Sequence, residues 1–408
     1  MEKKFNKSKI LILLVAIFAA ILTFSVAIIG FFVSNKDTKH SEGAEGSATY
    51  GKYTYQYRST SINVSYRYNG IAALTYYNND LSVYSPEGLV LCYYLLKRGG
   101  TDGTSFNISN TSITLKKDLD MSGQPFLAIG TYEKPFKGTF DGDGFTISNL
   151  PFNNPVDYWG GAGISKIYMY GLLGVTNNSV VKDLHIKGIN INHGHGNGSS
   201  DVVGLIAAMP EGSLTITNCM VEGSVRINEN ANNNDGIKIG GLVGRLYGNI
   251  TVNNCAVKVD IITEEFDILT SGSGVFIGGY IGWIEGYNAN ILIENSYYHG
   301  KFDMNHIYTS TEVGYVGGLI GQPRDNPYGS YSCVLKNNVV YFTEIRGRGN
   351  PSSATNSTPI LYYVISRITP SSGSTNNRYY IQADYTDYSY SKTNVIKLTE
   401  KEVSYWKK

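Results

Sequence analysis

A short pattern returns along the middle of this chain: a glycine, two bulky residues and a second glycine. It reads Gly171-Leu172-Leu173-Gly174, Gly241-Leu242-Val243-Gly244, Gly279-Tyr280-Ile281-Gly282 and Gly318-Leu319-Ile320-Gly321, with a degenerate copy at Gly204-Leu205-Ile206-Ala207. The starting positions 171, 204, 241, 279 and 318 are 33, 37, 38 and 39 residues apart. A period in this range means stacked structural units, each too small to bury its own apolar face.

A second marker keeps step with the first. Asn149, Asp183, Asn218, Asn254, Asn295 and Asn337 align at one position, followed by Leu150, Leu184, Cys219, Cys255, Ser296 and Asn338. Around them apolar and polar residues alternate, as in Leu214-Thr215-Ile216-Thr217 and Ile291-Leu292-Ile293-Glu294. Alternation at period two, rich in β-branched residues and bounded by glycine, specifies strands. No amphipathic helical stretch separates the copies, which excludes helical repeats. The expected architecture is all-β, a solenoid with parallel strands about 4.8 Å apart from coil to coil. Leu172, Leu205, Leu242, Tyr280 and Leu319 would form one inward column, the glycines would sit at corners, and the asparagines would bond amide to amide along the stack.

These repeats resemble the GLUG motif of bacterial adhesin-like surface proteins. The segment before them is similar to that family's opening module: Ser85-Pro86-Glu87-Gly88-Leu89, Ile113 to Gly123, Ala128-Ile129-Gly130 and Pro135 to Leu150. The resemblance covers about residues 82–345 and implies a right-handed parallel β-helix. Read from its residues alone, Gly138 to Ile147 is two alternating runs around Asp-Gly, a β-turn or hairpin signal at the start of the stack.

The N-terminus carries the other strong signal. Lys3, Lys4, Lys7 and Lys9 precede an apolar run from Ile10 to Val33. A helix of that length spans roughly 36 Å, enough to cross a bilayer. The lysines place the N-terminus inside and the remainder outside. Residues 1–33 therefore read as a signal-anchor in preference to a cleaved signal peptide, whose apolar region is shorter. Residues 34–49 read as a flexible tether, 50–84 as a β-rich cap with a turn at Asn69-Gly70, 85–345 as the β-helix, and 346–408 as an irregular C-terminal cap or tail. Within that tail a strand is expected near Ile360 to Ile368, and a short helix near Thr399 to Val403. The chain is expected to be membrane-anchored and extracytoplasmic, at the cell surface, or secreted if the leader is cut.

Composition removes one class of partner. Charged residues make up 16% of the chain and the net charge is +1, so no basic stripe for nucleic acid exists. Cys92, Cys219, Cys255 and Cys333 are too few for a disulfide framework; Cys219 and Cys255 share a position in neighbouring units and read as buried small side chains. No cysteine spacing suggests zinc. His193-Gly194-His195 near Asp201 reads as a solvent loop, and His185 and His299 have no evident acid–base partner. Asp141 and Asp143 resemble the start of a calcium loop, but Phe152 occupies its closing position. No metal and no cofactor is expected.

Many β-helices cleave polysaccharides, and Asp118 with Asp120 and Asp141 with Asp143 are the candidate carboxylate pairs; both are better explained as turn residues. Tyr297, Tyr298 and Tyr341 are instead expected in a row on one flat face, where aromatic rings stack on sugars or anchor proteins. The expected activity is adhesin-like binding of surface glycans or proteins without catalysis. The alternatives are a β-helix polysaccharide lyase or glycoside hydrolase, and a structural stalk.

Overall fold

The protein is described here by a computed structural model covering residues 44–60, 63–98, 110–152, 156–158, 166–193, 199–228, 237–264, 266–268, 275–304, 307–309, 315–323, 332–347, 360–362, 371–386 and 396–397. The Ile10 to Val33 run, the Thr399 to Val403 segment and most of residues 346–370 lie outside them. Among the described residues no helix is long and apolar enough to cross a membrane.

The chain is all-β and coils into a parallel solenoid. Successive coils contribute one strand each to a twelve-stranded, a seven-stranded, a five-stranded and a nine-stranded sheet. The strands Ser179–Lys182, Leu214–Thr217, Ile250–Asn253, Asn290–Glu294 and Ser332–Lys336 run parallel in register in the first of these. Their inward residues, including Val181, Ile216, Val252, Ile293 and Leu335, are fully buried in one continuous core.

The asparagine column exists, and its cause is backbone geometry. Asp183, Asn218, Asn254, Asn295 and Asn337 all sit at φ between 51° and 55°, the left-handed region that among side-chain-bearing residues favours Asn and Asp. Each residue ends a strand of the twelve-stranded sheet and turns the chain into the nine-stranded one. Side-chain amides then link the corners: Asn218 donates to Asp183 at 2.9 Å, Asn254 to Asn218 at 2.8 Å and Asn337 to Asn295 at 3.1 Å. Asn295 bonds Asn253 instead, at 3.1 Å.

Two alignments need correction. Asn149 is not in this column: Lys187 pairs with Ser148, so Asn149 stands opposite Gly188. Both are left-handed, at φ 54° and 67°, which is why an asparagine suits that position and mimics the marker. The true continuation is Asn376, at φ 55°, donating to Asn337 at 3.2 Å. The degenerate glycine copy is also shifted by one. Gly204 pairs with Gly240, and Ala207 with Val243, so the column runs through Ile206, not Leu205, to Leu242, Tyr280 and Leu319. The structural equivalent of the second glycine is Ala208. The offset arises because Gly204 is the equivalent of the first glycine in Gly240-Gly241, Gly278-Gly279 and Gly317-Gly318, and Leu205 stands where the second would be.

The glycine corners are required by close approach. A Cβ on Gly240 would lie 1.9 Å from the Val243 carbonyl oxygen, and one on Gly278 would lie 2.0 Å from that of Ile281. The Asp141-Gly142-Asp143-Gly144 segment is a corner and not a hairpin. Its flanking strands, Thr139–Asp141 and Thr146–Ser148, pair in parallel with different sheets.

The N-terminal cap begins earlier than expected, as an antiparallel meander of five strands from Ala44 to Val83. Its Asn69-Gly70 turn is present, with φ 49° and 78°. The segment Ser85 to Leu89, expected within the β-helix, instead opens the helix α1 (Pro86–Arg98). Ser85 caps it, its Oγ accepting the Gly88 amide at 3.2 Å; Pro86 occupies the first turn, Glu87 follows, and Lys97 and Arg98 close the last turn. The inner face of α1, including Leu89, Cys92, Leu95 and Leu96, is buried in the core. At the other end the solenoid continues beyond residue 345. Ile360–Tyr362 joins the seven-stranded sheet, and Arg378–Thr386 lies parallel to Val339–Gly347 in the nine-stranded one.

Candidate functional site

The nine-stranded sheet offers the richest outer face. Strand alternation sends Tyr298 and Phe302 inward, where they meet Phe342 at ring-centroid distances of 5.7 and 5.0 Å. Tyr298 is fully buried and its hydroxyl donates to the Val259 carbonyl at 2.8 Å. It belongs to the core and not to a binding row, which corrects the expectation from sequence.

Tyr297 and Tyr341 do face outward, together with two residues that sequence reading did not assign to a site. His299 pairs with Tyr341, and Tyr341 with Tyr380, on three successive strands. Tyr341 and Tyr380 stack at 5.3 Å with planes 6° apart, and His299 meets Tyr341 edge-on at 4.7 Å. Tyr297 lies 5.9 Å from His299. The result is an aromatic column running along the stack. Its central ring is covered: Tyr341 is only 2% exposed, and its hydroxyl donates to Gln382 at 2.6 Å. Tyr297 is half-buried, and that burial, with Tyr341 beside it, pushes its phenol up to about 12. Stacking in register closes the ring faces, so this column presents edges and phenol groups.

Ion pairs flank the column. Lys301 bridges Glu344 at 2.8 Å and Asp303 at 3.0 Å, and Arg346 also pairs with Glu344. On the earlier coils, Glu222 holds both Lys258 and His185 at 3.3 Å, so His185 has an acidic partner that the sequence did not reveal. The Lys301 ammonium is the largest influence holding the Glu344 carboxyl below the usual carboxylate range, and Glu344 in turn raises Lys301. A carboxyl whose folded value is depressed stabilises the fold above its unfolded value of about 4.3, and that contribution is lost as pH falls through the folded value. Thermal melts across acid pH should therefore show wild type losing stability below about pH 4.3 by more than Glu344→Gln does. Parallel curves for the two would disprove the coupling.

A second cluster occupies the five-stranded sheet, where Arg245, Trp283 and Gln322 stand in register. Phe276 stacks on Trp283 at 5.2 Å, and Arg245 and Lys238 approach the same indole at 5.0 and 5.3 Å. Arg245 is also paired with Glu285, both largely buried. Sequence reading missed this group because its members come from different strands. The period itself was the available signal, since Arg245 and Trp283 each stand one residue past the second glycine of their repeats.

The carboxylates weighed for catalysis are engaged in turns and ion pairs. Asp118 accepts the Thr146 amide at 2.8 Å, and Asp120 accepts Ser122 and Asn149. Asp141 accepts the Asp143 amide at 2.9 Å and pairs with Lys182 at 2.5 Å, while Asp143 lies 3.7 Å from Lys116. Hydrogen bonds from Asn149 and Ser122 hold Asp120 low, the reverse of what a general acid needs. Among the described residues no group of three or more His, Cys, Asp or Glu could hold a metal ion. His193 ends its strand, residues 194–198 lie outside the description, and Asp201 is buried in Ser199–Gly204.

All four cysteines are buried free thiols. Cys219 and Cys255 occupy one inner column that continues as Ser296, Asn338 and Asn377. Along it, side-chain oxygens accept amides from the preceding coil: Cys255 donates to Ser296 at 3.2 Å, Ser296 to Asn338 at 3.1 Å and Asn338 to Asn377 at 3.3 Å. No family model and no curated protein matches the chain.

Proposed function

We propose that this chain is a membrane-tethered, extracytoplasmic protein of the GLUG type, a right-handed β-helix that binds surface glycans or proteins without catalysis, in the manner of an adhesin. One observation carries the reading. The outer face of the nine-stranded sheet sets Tyr297, His299 and Tyr380 around Tyr341 and flanks them with ion pairs that neutralise one another. Such a face combines apolar edges, phenol groups and fixed charges of both signs, the composition of a rim and centre in protein recognition. Its mutual neutralisation gives no long-range field for a polyanion such as nucleic acid. The apolar N-terminal run supplies the tether in this reading.

The polysaccharide-cleaving alternative lacks comparable support, because each of the four aspartates considered for it is engaged in a turn or an ion pair. The test is binding of the full-length chain, in detergent, to arrays of glycans and of matrix proteins. A ligand retained by wild type should bind at least about tenfold more weakly to the Tyr297→Ala/Lys301→Ala double variant, the loss expected when an aromatic anchor and its neighbouring charge leave an interface. Retention unchanged by that pair would remove this face from the binding role, and depolymerised glycans on the array would revive the enzyme.

A further inference from the structure

The twelve-stranded sheet has two ends. At one stands Ala44–Tyr50, paired with Tyr53–Ser59; at the other stands Ser332–Lys336. A strand at a sheet edge is a template for another chain unless something covers it. Here the segment Ser371 to Thr375 does so. The Ser371 amide donates to the Cys333 carbonyl at 2.7 Å and the Thr375 amide to that of Leu335 at 2.9 Å. The edge strand's own amides go to side chains: Cys333 donates to Ser371 Oγ at 2.8 Å and Leu335 to Ser374 Oγ at 3.0 Å.

A neighbouring strand would offer backbone carbonyls at these positions, and two serine hydroxyls stand in for them. The segment between bows out in a turn. Gly373 is at φ 99°, and a Cβ there would meet nothing within 4 Å. Only one isolated bridge, Lys336 with Thr375, is strand-like. The edge is thus fully hydrogen-bonded without being extended by a strand.

We propose that this strap keeps the Ser332–Lys336 edge from pairing with the Ala44–Tyr50 strand of a second copy of the chain. Both are terminal strands of the same sheet, so joining the end of one copy to the start of the next continues that sheet. The contact is heterologous and does not close on itself, so it generates open head-to-tail chains. Ala44, Glu45, Ser47 and Thr49 are exposed, and the strand contains no proline to block pairing. This concerns assembly and stands independently of the binding face.

The experiment is light scattering and electron microscopy on the full-length chain in detergent, with circular dichroism as the check on folding. Wild type should stay monomeric. Ser371→Ala/Ser374→Ala should form linear assemblies whose mean mass rises severalfold with concentration, and adding Ser47→Lys should return them to monomers. Should the double variant lose its sheet signal, Gly373→Ala decides, since it strains the turn while keeping both hydroxyls; it should assemble in the same way. Assembly of wild type to the same extent, strap variants that remain monomeric, or assembly indifferent to Ser47→Lys would each overturn the proposal.

Discussion

Gly278→Val should destabilise the solenoid by about 3 kcal/mol or more, placing it among the severe single substitutions. Gly278 needs no left-handed backbone; what it needs is space. A Cβ there lies 2.0 Å from the Ile281 carbonyl oxygen and 2.7 Å from the Gly321 amide nitrogen. Both are backbone atoms of paired strands, so neither can retreat without breaking ladder hydrogen bonds on two coils. Gly144→Ala is the contrasting control: φ is 79° but nothing lies within 4 Å, so strain alone acts and the cost is about 1 kcal/mol. Urea melts of both variants give the comparison. Because coils are coupled mainly to their neighbours, the Gly278 variant should also lose cooperativity. Equal costs at the two positions would show that conformation, and not close approach, governs these corners.

Tyr298→Ala should cost about 3–5 kcal/mol, the range for removing a large buried aromatic. Its ring fills the interior against Phe302 and Phe342, and truncation leaves a void between coils that stacked backbones cannot collapse to fill. Tyr298→Phe keeps the ring and removes only the bond to the Val259 carbonyl, a loss of about 1 kcal/mol. Tyr297→Ala, one residue away on the opposite face, should change stability by less than about 1 kcal/mol while weakening ligand binding. Thermal and urea denaturation of the three variants separate a core residue from a surface one. Comparable destabilisation by the two alanine substitutions would contradict the assigned strand parity.

That pair of tyrosines shows where sequence reading stops. Alternation at period two says that adjacent residues face opposite ways, yet two neighbouring tyrosines satisfy either choice. The choice is made by the core, where Phe302 and Phe342 already mark the interior against which Tyr298 packs. The Trp283 cluster was hidden for a related reason, since Arg245, Trp283 and Gln322 are 38 and 39 residues apart and meet only through stacking. By contrast, α1 was legible and was missed: Ser85-Pro86-Glu87 is a helix start signal, and a serine hydroxyl bonds the third amide after it.

The sequence by itself determined the local preferences and their period. Alternation made strands, Asn and Asp marked corners with positive φ, glycine marked the places where backbones touch, and the recurrence of all three required stacked coils. Tertiary structure alone decided the register. Pairing of Gly204 with Gly240 showed that its copy lies one residue out of step, and a left-handed backbone opposite Gly188 made Asn149 resemble a column to which it does not belong. It also decided which tyrosines face outward and how the last edge is covered by Ser371 and Ser374. The physical reason is the same throughout: a residue's type expresses its own backbone and burial preferences, whereas register and facing depend on contacts made one coil away.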